Sequence, residues 1–180
     1  MYHLPPVVSI RDTDSPSRGL EMKENVLDVL VYLFENYLDS EGPTAPDQDT
    51  VREDLEELGF PGHDIDKALL WLEELASYQH DQQEPQIQAA HSLRHYTGQE
   101  TRRIDSDSQG FLLYLEQNGI LDNISRELVI DRAMALEGDD ISLEQIKWVV
   151  LLVLFNQPGQ EAAFAWMHDL VYDIPSGLLH

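Results

Sequence analysis

Between Ile146 and Phe155 the chain reads IKWVVLLVLF, apolar at every position except Lys147. Wound as a helix, such a segment presents apolar side chains on all of its faces, so neighbouring elements have to wrap it. Ser142, with Gln145 three positions later, is the capping box that opens it. The reading predicts a central buried helix in the second half of the chain, beginning near Trp148. The run from Trp148 to Phe155 falls far short of the roughly 20 apolar residues that cross a bilayer, so a membrane role is not expected.

Everything around that segment is also patterned for helices. Val26, Leu27, Leu30, Val31, Leu33, Phe34, Tyr37 and Leu38 form one broad apolar stripe of about four turns, ended by Gly42, Pro43 and Pro46. Asp47, Asp49 and Thr50, with Glu53 completing a capping box, announce a second helix whose Val51, Leu55 and Leu58 face inward. Gly59 is placed to cap it and Phe60 to fold back over the cap. Asp64 then opens a third helix carrying Ile65, Ala68, Leu69, Leu72 and Leu75.

After Tyr78 the composition turns to Gln, His and Asp without periodicity, the signature of a linker. Thr97 and Glu100 are a further capping box. Phe111, Leu112, Tyr114 and Leu115 mark a helix closed by Asn118 and Gly119, and Ser125 starts one carrying Leu128, Val129, Arg132 and Leu136. Pro158 suits the first turn of a last helix with Ala162, Phe164, Ala165, Met167, Leu170 and Val171 as its apolar positions.

The expected fold class is therefore all-α, a bundle of about seven to eight helices in two small halves. Residues 22–79 form an acidic first unit, 80–97 an irregular linker and 98–180 a second bundle. Residues 1–21 show no helical periodicity and are expected to be a disordered extension or a misassigned start.

No cysteine is present, which removes disulfides, thiolate metal sites and cysteine nucleophiles, and fits a reducing compartment. With no export signal visible either, the cytoplasm is the default. The 34 acidic residues outnumber 11 basic ones, for a formal net charge of -23. Such a balance repels nucleic-acid backbones and favours a protein with a basic surface as partner; solubility or adaptation to salt would leave the same trace.

Catalytic signatures are missing. Neither GxGxxG, GxxxxGK[ST] nor GxSxG occurs, so nucleotide binding and a nucleophile elbow have no support, and no cofactor is expected. His91 and His95 stand four apart, a spacing that can hold a metal on a helix, but they fall in the irregular region without a third ligand. Glu53, Asp54, Glu56 and Glu57 read as a solvated helix face needing no partner within the molecule, rather than a buried acid/base pair.

For binding, that face is one candidate. The Gly59-Phe60 turn, loosely similar to the exposed Gly-Phe turn of ubiquitin-associated-type modules, is another; the alternative is that Phe60 belongs to the core. Arginines gather later in the chain. Arg126 and Arg132 sit beside Glu127 and Asp131, where local ion pairing accounts for them, leaving Arg102 and Arg103 as candidates for an anionic contact.

The wording of the sequence from Met22 to His180 resembles the Smg family of bacterial proteins. It does so through Asp28-Val29-Leu30-Val31-Tyr32-Leu33-Phe34-Glu35, Leu58-Gly59-Phe60 and Ala68-Leu69-Leu70-Trp71-Leu72-Glu73. Further matches are Gly110 to Glu116, Arg126 to Arg132, Lys147 to Leu151, Pro158-Gly159 and the terminal Leu-Leu-His. The resemblance implies a short, acidic, helical, cytoplasmic protein, from a family without an assigned function whose genes often lie near those for DNA processing or translation start. The expected function is non-enzymatic: an interaction or adaptor protein. The alternatives are a nucleic-acid-associated protein using its arginines and an enzyme whose site is assembled from distant residues.

Overall fold

The computed structural model describes residues 25–38, 47–81 and 94–172. These described residues form eight α-helices: α1 (Val26–Leu33), α2 (Gln48–Glu57), α3 (Gly62–Asp81), α4 (Gly98–Arg103), α5 (Ser106–Gln117), α6 (Asn123–Met134), α7 (Leu143–Phe155) and α8 (Glu161–Tyr172). Among the described residues no strand forms; a single parallel bridge joins Ile104 to Ile141. The all-α class is as read from the sequence. The expectations for residues 1–21, for Gly42 to Pro46, for His91 and for Pro175 to His180 lie outside the described residues.

Helix starts follow side-chain oxygens that accept from otherwise orphaned first-turn amides. Asn25 caps α1, accepting from Leu27 and Asp28 at 2.8 and 3.2 Å. Both reciprocal bonds of the Thr97/Glu100 and Ser142/Gln145 boxes form. Four starts depart from the sequence patterning, one of them that of α3, which begins at Gly62, two residues before Asp64. α2 begins at Gln48, so Thr50 sits inside the helix and its box with Glu53 does not form. α6 begins at Asn123, because Asp122 accepts from the Ser125 amide at 2.7 Å. α8 begins at Glu161, which leaves Pro158 in the preceding turn.

The first stripe does not make one uniform helix. After Leu33 the winding widens into a π-helical turn, Phe34–Leu38. The α2 to α3 corner forms as expected: Gly59 adopts φ 91°, its amide donates to the Glu56 carbonyl at 3.0 Å, and the Phe60 amide reaches the Leu55 carbonyl at 3.1 Å. This is a Schellman cap, and the left-handed dihedral it needs costs glycine little. Leu58, expected inward, is 38% exposed.

α7 is the central element. Ile146 and every residue from Val149 to Leu154 are buried, and α5, α6 and α8 pack against the helix. Trp148 is only half-buried, with its ring 6.2 Å from Phe34 and 5.6 Å from Tyr172. On α8 the buried positions are Ala163 and Met167, while Ala162 and Ala165 are exposed.

One hydrophobic cluster runs through both halves of the chain. Phe34, fully buried, lies 5.4 Å from Phe155 and 6.1 Å from Phe164 between ring centroids. The Trp71 indole N–H donates to the Arg132 carbonyl at 2.9 Å, and Asn156 donates to the Leu75 carbonyl at 3.1 Å. Phe34 and α3 therefore contact α6, α7 and α8 across the two halves of the chain.

Candidate functional site

On α2 the amphipathic spacing buries Val51 and Leu55 and turns Glu53, Glu56 and Glu57 to solvent. Two of the four candidate acids have partners within the molecule, contrary to the sequence reading. Asp54 is half-buried and accepts from the Tyr37 hydroxyl at 2.6 Å. That hydrogen bond, helped by burial and by the Asp54 charge, pushes the Tyr37 hydroxyl up to about 12. Glu56 pairs with Arg52 at 3.3 Å, and Arg52 reaches Asp66 at 2.6 Å. Glu53 and Glu57 keep the solvated character expected of the face.

The Gly59-Phe60 turn offers less than an exposed turn would. Phe60 is 8% exposed, with its ring 5.9 Å from Tyr32, so its side chain belongs to the core. The sequence patterning carried both possibilities; burial decides between them.

Arg103 is also engaged. Its guanidinium donates to the carbonyls of Met134 and Leu136, both at 2.7 Å, satisfying acceptors that the end of α6 leaves open. That fixed role removes it as an anion contact. Arg102, by contrast, is exposed in the last turn of α4 with no acceptor.

The other arginines form a structure that the sequence did not reveal. Arg94 holds Glu100 in a bidentate pair, at 2.7 and 2.9 Å, and reaches Glu127 at 2.7 Å. Arg126, itself buried, bonds Glu116 at 2.6 Å and the same Glu127 at 3.0 Å. Five charges thus alternate in sign: Glu100, Arg94, Glu127, Arg126, Glu116. The Arg94 guanidinium pushes the Glu100 carboxyl down to about 2, against the opposing effect of burial. For Glu127 burial works upward, and the two guanidinium groups outweigh it.

Arg132, 6% exposed, bonds Glu74 at 2.5 Å and Asp131 at 2.9 Å and lies over the Trp71 and Tyr78 rings. The local pairs with Glu127 and Asp131 were visible as neighbours in sequence. Those with Glu116 and Glu74 cross between helices, and nothing in the spacing announces them.

Of the 11 basic residues, Arg11, Arg18 and Lys23 lie outside the described segments. Arg52, Lys67, Arg94, Arg126, Arg132 and Lys147 all pair with carboxylates, Lys67 with Glu137 and Lys147 with Glu144. Arg102 is the one described lysine or arginine left without an acceptor. The exposed surface of the described residues is consequently acidic with almost no cationic relief.

Between the end of α3, the start of α4 and the outer side of α6 lies a groove of about 690 Å³. Leu128, Ile130 and Met134 form its floor, while Glu127, Asp131 and Arg94 line the rim. A smaller hollow of about 270 Å³ continues it past Tyr78 and Ile124. Among the described residues no three of His, Asp and Glu are grouped to hold a metal, and His95 is exposed. Nor, among them, is any helix long and apolar enough to cross a membrane.

A family model described as "Protein of unknown function (DUF494)" matches residues 26–180. A Protein Smg homolog of Thioalkalivibrio sulfidiphilus is 54% identical over 159 residues, covering 88% of this chain and all of the relative. The Protein Smg homolog of Nitrosococcus oceani is 52% identical with the same coverage. That of Stenotrophomonas maltophilia (strain K279a) is 48% identical over 84% of this chain and 95% of its own. No solved structure matches. The match along nearly the whole length, at about half identity, agrees with the resemblance read from the residues: the chain belongs to the DUF494 family, that of the Smg homologues.

Proposed function

We propose that this chain is a non-enzymatic interaction protein whose partner is a protein with a basic surface. The supporting observation is the engagement of its cations. Six of the described basic side chains pair with carboxylates and Arg103 bonds to carbonyls, while acidic residues outnumber basic ones 34 to 11, so the face presented to a partner is acidic. Such a face attracts cationic surfaces over about a Debye length and repels phosphate backbones. A nucleic-acid reading would need free arginines, and only Arg102 meets that need among the described residues. The process served, by the gene neighbourhoods that the family resemblance implies, is DNA processing or translation start.

The test is capture from native lysate with the full chain and with Glu53→Lys/Glu57→Lys, two exposed positions of α2 outside the Tyr37–Asp54 and Arg52–Glu56 contacts. Capture of a basic protein that weakens with salt and is weaker in the folded double variant is the expected result. Equal capture by both proteins at the same salt would show that the acidity of α2 serves solubility. Salt-sensitive binding of DNA or RNA at physiological ionic strength would replace the proposal with the nucleic-acid reading.

A further inference from the structure

We propose that the groove along α6 is where the basic partner docks, and that the docking element is a short amphipathic helix with an apolar face and Lys or Arg along its flank. This rests on the reading of a basic protein partner. The groove is lined by the part-exposed Ile124, at 37%, and by the Tyr78 ring, at 39%, whose hydroxyl donates to Asp131 at 3.3 Å, together with the buried Leu128.

The rim supplies the charge. Glu127 and Asp131 stand one turn apart on α6, with side chains 49% and 51% exposed. Arg94 and Arg126 bond one oxygen of Glu127, and Arg132 and the Tyr78 hydroxyl bond one oxygen of Asp131, so the other oxygen of each half-exposed carboxylate stays outside these contacts. Arg94, the cation on this rim, is committed to Glu100 and Glu127. The groove therefore asks for incoming donors rather than acceptors.

Helical walls decide the conformation of the occupant. The main-chain groups of α3 and α6 are spent within their own helices, so no sheet edge exists on which an extended peptide could pair its amides. Over an apolar floor an unpaired backbone is costly, and a helix brings its own hydrogen bonds. α6 has 12 residues, about 18 Å of length. A partner helix of about three turns fits that length, with apolar residues at i, i+4 and i+7 and two cations a turn apart facing Glu127 and Asp131.

Residues 82–93, QQEPQIQAAHSL, join Asp81 of α3 to Arg94 and are the competing occupant from the chain itself. They contain no lysine or arginine and add Glu84, so they do not complement the rim.

The probe is a fluorescein-labelled amphipathic peptide of about 14 residues, leucines on one face and lysines on the flanks, with a scrambled peptide of the same composition as control. Anisotropy with the full chain at about 0.15 M salt should show saturable binding on the order of micromolar, with the scrambled peptide about tenfold weaker. Ile124→Asp should weaken binding by about tenfold with unchanged circular dichroism, since an acid in the first turn of α6 suits the helix N-terminus. Binding that is equal for the two peptides, or unchanged in Ile124→Asp, would overturn the docking site. So would a photo-cross-linker placed at position 124 that joins to residues 82–93 or to a second copy instead of the peptide. Glu53→Lys/Glu57→Lys, whose positions do not line the groove, should still bind the peptide; loss of lysate capture in that variant with no effect of Ile124→Asp would leave the basic-partner reading standing and remove the groove.

Discussion

Phe34 is the side chain whose loss should be felt by the whole molecule. It comes from the π-helical turn at the end of α1, is fully buried and is surrounded by Trp148, Phe155 and Phe164 from the other half. Burying a Phe removes about 150–250 Å² from water, which at about 25 cal/mol per Å² bounds its apolar contribution near 4–6 kcal/mol. Alanine retains part of that area, but the cavity it leaves forfeits three ring contacts. Phe34→Ala should therefore cost about 3–5 kcal/mol. For a chain of this length each kcal/mol lowers Tm by about 2–4 °C, so the drop should be roughly 6–20 °C.

The measurement is urea unfolding followed by far-UV circular dichroism and by tryptophan fluorescence, which reports on Trp148 beside the mutated ring. Because Phe34 ties α1 to α7 and α8, both probes should move together in one transition, before and after substitution. A loss below about 1 kcal/mol would show that the aromatic contacts contribute nothing. Two separate transitions in the wild-type protein would show that the halves unfold independently, and the shared-core argument would fail.

Glu100 should govern part of the acid limb of stability. Its folded carboxyl is held at about 2 against an ordinary 4.5, so the stability it contributes is present above about 4.5 and fades as pH falls towards 2. In Glu100→Gln the difference in urea midpoint between pH 7 and pH 3 should shrink; an undiminished difference would refute the role of the Arg94 pair. Tyr37 should ionise near 12, and ultraviolet titration of Asp54→Asn should bring it back towards 10 because the hydrogen bond is its leading cause. Persistence near 12 in that variant would contradict the contact. Gly59→Ala meets no atom within 4 Å, so its expected cost of about 1–2 kcal/mol is purely that of the left-handed dihedral. A neutral result by thermal melting would mean that the α2 to α3 corner relaxes.

Local chemistry carried a good deal of this protein in its sequence. The boxes at Thr97/Glu100 and Ser142/Gln145, the Gly59 cap and the all-round apolar run of α7 are settled by residues within a turn or two of one another, so their geometry can be read from spacing. Local pattern failed where two short-range solutions competed. Asp47 and Thr50 were both plausible helix starts, and the helix begins after the earlier one. The candidate site was least legible of all. Whether Phe60 faces a partner or the interior, whether Arg103 is free or caps α6, and whether Arg94 reaches Glu127 depend on which helices become neighbours. Residues so far apart in the chain, 31 positions for Arg103 and Met134 and 33 for Arg94 and Glu127, meet only after the core has closed, and a single chain carries no spacing rule for such pairs. The acidic balance was determined by composition alone, but that almost no described cation remains free to relieve it was decided by the tertiary structure, because buried guanidinium groups must find carboxylates or carbonyls when they leave water.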